Sequence, residues 1–168
     1  NPGLYGNIDP AAGDNNAIKV ASQYGHIEVV KLLLEKKEAN PGLYEDIDPT
    51  ADNNFAVGTA AGCGHVEVVK LLLEKKEERL ELYEDIDPAA NDNYAVIWAS
   101  LNGHIDAIEL LHAKKETNPV LYGSIDLAAR DNHAIKWAAQ EGHLEAVKFL
   151  LEKKEAKPEL YGNIDPAA

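Results

Sequence analysis

The chain has no methionine, a single cysteine (Cys63), two tryptophans and two phenylalanines among its 168 residues. One cysteine excludes an intramolecular disulfide framework, so packing must hold the fold, which suits an intracellular, reducing compartment. Positive charge is also scarce: 16 Lys and Arg stand against 29 Asp and Glu, for a net charge of −13. The only basic clusters are Lys36-Lys37, Lys75-Lys76, Lys114-Lys115 and Lys153-Lys154, each followed at once by a Glu. They read as solvated helix ends. A nucleic-acid binder needs a basic face, and none is written here. No apolar run approaches a membrane span, and neither a membrane helix nor a signal peptide is expected. There is no glycine-rich phosphate loop, no Cys-x-x-Cys and no recurring nucleophile, base and acid. Neither a cofactor nor enzymatic chemistry is expected.

What the chain has is a period. Ile-Asp-Pro starts at Ile8 and returns after 39 residues at Ile47, then at Ile86 and Ile164; the copy at Ile125 reads Ile-Asp-Leu. Gly-His returns in the same step at Gly25, Gly64, Gly103 and Gly142. A fixed period of roughly 20–50 residues marks a solenoid, in which each unit touches only its neighbours. We read one all-α domain over residues 1–168, with full repeats at about 9–47, 48–86, 87–125 and 126–164. Partial units remain at 1–8 and 165–168. The first residues, Asn1 to Ala12, nearly duplicate the last, Lys157 to Ala168. With a start at Asn1 in mid-repeat, the chain reads as an excised segment or the product of processing.

Within one repeat, Asp9-Pro10 opens a polar stretch that ends at Asn15, where an N-cap belongs. Ala17, Ile18 and Ala21 then share one face at helical spacing, and small alanines imply close approach of neighbouring helices. Gly25 occupies the left-handed stop of this first helix. A second helix runs from about Ile27 to Lys37, with Glu28 in its first turn and the lysines in its last, both favourable to the dipole. Asn40-Pro41 is a start signal. It predicts a short third helix or turn that folds Leu43, Tyr44 and Ile47 back on the stack.

These residues resemble the ankyrin repeat. The stretch from Asn16 to His26 matches the family's first helix through Ala21 and Gly25-His26. Glu67-Val-Val-Lys-Leu-Leu-Leu-Glu74 is similar to its second. The family period is about 33 residues, so each unit here carries about six more, where the family has its β-hairpin. The resemblance implies an ankyrin-like solenoid and a scaffold that binds a protein. Its partner would lie on the concave face formed by the first helices and adjoining loops. The outer repeats lack polar caps: the last keeps Trp137, Val147, Phe149, Leu150 and Leu151. The alternative is therefore a structural protein whose uncapped ends stack head to tail into a filament.

Histidine and aspartate ladders invite a metal reading. Stacked helices lie about 8–10 Å apart, whereas zinc ligands sit about 2 Å from the metal. One ligand per repeat cannot meet that, so His26, His65, His104 and His143 are assigned to helix junctions. The binding candidates are the positions that refuse to repeat. Asn16, Phe55, Tyr94 and His133 share one register; Lys19, Gly58, Ile97 and Lys136 a second; Gln23, Gly62, Leu101 and Gln140 a third. Spacings of three and four set them on one face of the first helix. Phe55, Tyr94, Ile97 and Leu101 give that face an apolar centre, and the acidic charge favours a basic partner. Trp98 and Trp137 are assigned to packing between repeats. Gly58 and Gly62 are expected to weaken the first helix of repeat two, by about 1 kcal/mol each relative to Ala.

Overall fold

The computed structural model describes residues 8–167. The partial unit at 1–8 lies almost wholly outside them. Among the described residues there are twelve helices and no strand. They fall into four triplets: α1 (Ala12–Gln23), α2 (Ile27–Ala39) and α3 (Pro41–Tyr44); α4 (Ala51–Gly62), α5 (Val66–Glu78) and α6 (Leu80–Tyr83); α7 (Ala90–Leu101), α8 (Ile105–Thr117) and α9 (Pro119–Tyr122); α10 (Ala129–Gln140), α11 (Leu144–Ala156) and α12 (Pro158–Tyr161). First helices pack in one row, α1 on α4 on α7 on α10, and second helices in another, α2 on α5 on α8 on α11. The first row is the tighter, because buried Ala56, Ala60, Ala95, Ala99, Ala134 and Ala138 let its backbones approach. Ala17 is the exception and stands exposed.

Two devices set the turn between first and second helices. Gly25, Gly64, Gly103 and Gly142 have φ of 70–77°. His26 donates its amide to Ala21 and Gly25 to Ser22, which closes the first helix with a left-handed cap. The next repeat's histidine then lies flat against that glycine. A Cβ built on Gly64 would stand 2.5 Å from Nδ1 of His104. Glycine is demanded there twice, by φ and by the neighbouring ring. The histidines thus sit at helix junctions. His143 Nε2 lies 2.9 Å from the Leu101 carbonyl of the preceding repeat.

The polar stretch before each first helix departs from expectation. Three successive residues turn left-handed in every repeat: Gly13–Asn15, Asp52–Asn54, Asn91–Asn93 and Arg130–Asn132, with φ of 53–66°. Asn and Asp tolerate this region better than other side chains, yet it costs on the order of 1–2 kcal/mol per residue. The last Asn does not cap its own helix. Its side-chain oxygen accepts the amide of an Asp in the following repeat: Asn15 from Asp48 at 2.7 Å, Asn54 from Asp87 at 2.8 Å, Asn93 from Asp126 at 2.7 Å and Asn132 from Asp165 at 2.7 Å. A left-handed residue points its side chain across to the next repeat, where an N-cap residue would turn back on its own helix.

The Asn-Pro signal is borne out by short helices at α3 and α9, and the Lys157-Pro158 copy also starts one at α12. Tyr83, Tyr122 and Tyr161 are buried, as are Ile47, Ile86, Ile125 and Ile164. Tyr122 donates its hydroxyl to the Leu73 carbonyl of the preceding repeat. Leu43 does not fold back; it is 73% exposed. Nor are the lysine pairs solvated as a pair. The second of each lies over the short helix: Lys76 donates to the carbonyls of Glu84 and Ile86, and burial holds its ammonium below the usual lysine range against the pull of Asp87. In repeats two and three the first bridges to the preceding repeat, Lys75 to Glu38 at 3.1 Å and Lys114 to Glu77 at 2.8 Å.

Candidate partner-binding face

The first helices carry the varying positions on one face, and the structure sorts them. Asn16 and Gln140 are exposed. Lys19, Gln23, Phe55, Tyr94, Leu101, His133 and Lys136 are half-buried. Ile97 is only 6% exposed and offers a partner little surface. The set does not converge as one. Gln23, Phe55 and Tyr94 meet around a depression of about 180 Å³, completed by Thr59, Gly62, Cys63 and Trp98. In repeat four, Lys136 turns 2.9 Å from Asp131, and His133 lies against the Arg130 carbonyl.

The centre of this face is aromatic, and glycine makes it so. Tyr94 and Trp98 pack with ring centroids 5.0 Å apart. A Cβ on Gly58 would come within 3.0 Å of the Tyr94 ring, and one on Gly62 within 2.9 Å of Trp98 Cβ. Both glycines are buried, Gly58 against the Tyr94 ring and Gly62 against the base of the Trp98 side chain. Their helix cost is real, but they give the next repeat room to lay its aromatics across the row. α4 accordingly packs more extensively on α7 than any other pair of helices. Trp98, assigned above to packing, does pack, yet 41% of it stays exposed. Its contribution to the face was legible only in the neighbour's glycine, one repeat earlier.

A second depression of about 440 Å³ lies on the other side of the Phe55–Tyr94 pair, lined by Asp52, Asn53, Asn54, Asp87 and Asn91 beside the two rings. Burial, and then Cys63, push the Tyr94 phenol above its ordinary value, so it stays a neutral donor and acceptor. Burial first, then His65 and His143, hold the His104 imidazole below the usual range. Among the described residues no group of three or more His, Cys, Asp or Glu is placed to hold a metal ion. None of the helices is long and apolar enough to cross a membrane.

Stacked helix pairs with a repeated frame and an irregular aromatic face define a class, the helical repeat proteins that present a surface. The family can be given as well. The family model for ankyrin repeats matches three times, over residues 4–82, 20–120 and 78–161, and the chain belongs to that family. No curated protein and no solved structure gives a significant match. Ankyrin repeats generally mediate protein–protein interaction, and that general role applies here.

Proposed function

We propose that this chain is a non-catalytic scaffold that binds a basic protein segment across the first helices of repeats two and three. The observation that carries the reading is the half-exposed cluster of Phe55, Tyr94 and Trp98, set between two depressions on a frame that otherwise repeats. Aromatic anchors in such settings carry much of an interface's energy. The net charge of −13 and the exposed Asp52 and Asp92 at the edge favour a partner of opposite sign. The test is Tyr94→Ala against any partner or selected peptide. Affinity should fall by about 1–2 kcal/mol or more, with the helical spectrum kept. Unchanged affinity rejects this face.

Self-stacking is the second reading, and the open side of α2 favours it. Val29 and Leu32 are exposed there, while Val68 in the register of Val29 is buried by the preceding repeat. Light scattering over a concentration series decides it. Growth in mass that Leu32→Glu abolishes supports stacking; constant mass rejects it.

A further inference from the structure

We infer that the depression between repeats two and three is a slot for an arginine side chain of the partner, a deepening that rests on the binding face proposed above. The argument comes from how the other junctions fill the same space. Between repeats three and four, Arg130 reaches back over the left-handed turn of the preceding repeat. Its Nη2 donates to the Asn91 carbonyl at 3.1 Å and to Asp92 Oδ2 at 3.3 Å. Further along repeat four, Lys136 faces Asp131 of its own turn. Between repeats one and two, Lys19 lies 3.1 Å from Asp14 and 3.6 Å from Asp52. Each outer junction thus supplies its own cation to the acidic turns.

The central junction does not. Asn91 stands in the register of Arg130, Gly58 and Ile97 in that of Lys19 and Lys136, and Asn53 in that of their partners Asp14, Asp92 and Asp131, so the carboxylates of this junction are Asp52 and Asp87. The space is left as the 440 Å³ depression between Asp52, Asn53, Asp87 and Asn91, with Phe55 and Tyr94 as its apolar side. Asp52 is shared with Lys19 at the edge; Asp87 feels the buried Lys76 ammonium but makes no ion pair among the described residues, and one of its oxygens accepts the Ala89 amide at 2.9 Å. A guanidinium suits this lining better than an ammonium. Its planar fork can address a carbonyl and a carboxylate together, as Arg130 does, while its flat face lies on an aromatic ring. The adjoining depression at Gln23, Thr59 and Trp98 is mostly apolar and takes the neighbouring side chain of the same segment.

The experiment selects random linear peptides on the folded, full chain and measures the binders by titration. The expected binders hold an arginine at one fixed position beside an apolar residue, and replacing that arginine by Gln weakens binding roughly tenfold. Asn91→Arg, which gives the central junction the internal cation of repeat four, should weaken the arginine peptide by a similar factor and remove the difference between the Arg and Gln peptides. Arg130 already adopts φ 53° at that register, so the frame admits the change. If Asn91→Arg folds poorly, Asp87→Asn provides the same comparison, because its side-chain oxygen still accepts the Ala89 amide. Binders that depend on Tyr94 but show no preference for arginine overturn the slot and leave the face standing. If no selected peptide depends on Tyr94, both fall.

Discussion

The junction between repeats two and three and the two junctions that flank it share a backbone and differ in what fills it. All three have the left-handed turn, the Asn bridge to the next Asp and a histidine lying on a glycine. The outer two carry Lys or Arg over the acidic turns; the central one carries glycines, aromatics and open space. Frame and filling are thus separable in this protein. Stability should follow the frame at every junction alike, and recognition should follow the filling at one junction only.

The largest expected effect is on the frame. Asn93→Ala removes the acceptor of the Asp126 amide and places Ala at φ 65°. An orphaned amide and a strained backbone together cost roughly 2–3 kcal/mol. Asn54→Ala strips the central bridge to Asp87 in the same way. Urea unfolding should give the two variants equal losses to within about 0.5 kcal/mol. A much smaller loss for Asn54 would mean that the central junction does not use the frame as its neighbours do.

Gly62→Ala comes next and turns on sign. Helix propensity alone has Ala stabilising by about 1 kcal/mol. The structure puts the new Cβ 2.9 Å from that of Trp98, and crowding of that kind costs about 1–3 kcal/mol. Net destabilisation is expected, with a changed tryptophan fluorescence spectrum. Stabilisation would show that the central junction is no tighter than the others.

That glycine also marks how far sequence reasoning reaches. The 39-residue period, the left-handed Gly103 and the short helix after Asn118-Pro119 were legible, because each depends on neighbours in the chain. Gly62 was read as a local weakness, because its purpose lies in Trp98, one repeat further on. Asn54 was read as a cap for the same reason: nothing local reveals that the chain has turned left-handed and aimed its side chain at Asp87. The three varying registers share one face of the first helices, and they include Ile97, which packing removes from solvent. Exposed Trp98 was missed because an aromatic at helical spacing is usually core.

The junction between repeats three and four has a filling of its own. His112 stands where repeats one, two and four have Leu34, Leu73 and Leu151, and it is 3% exposed. Phe149 meets it edge-on and Tyr161 lies beside it, each with ring centroids 5.4 Å away. Glu116 is 3.4 Å from Nε2 and favours a charged ring, but Lys157 already engages that carboxylate. Burial first, then Lys153, Lys157 and Lys115, outweigh it and hold the imidazole below its ordinary value. Unfolding therefore takes up a proton as pH falls below about 6.5, and stability is lost in that direction. His112→Leu should flatten this part of the stability profile between pH 8 and 5, while His104, also depressed, keeps some slope in both chains. Parallel profiles would show that the acid response of this junction lies elsewhere.

The smallest effect is expected from Lys136→Ala. Its ammonium lies 2.9 Å from Asp131, whose carboxyl that contact holds below the usual range, yet Asp131 is open to water and Lys136 only half-buried. Exposed pairs of this kind contribute about 0–1 kcal/mol, and salt screens them further. Gly58 and Ile97 show that the frame tolerates the loss of lysine at this register. Lys19 lies deeper and faces both Asp14 and Asp52, so Lys19→Ala should cost somewhat more than Lys136→Ala. The check is the urea midpoint of each variant at low and high salt. Midpoints that barely move, and converge as salt is added, leave the varying registers free for recognition. A loss above about 1 kcal/mol at Lys136 would instead make the cation part of the frame, and the empty central junction would then be a cost the fold carries rather than a seat for a partner.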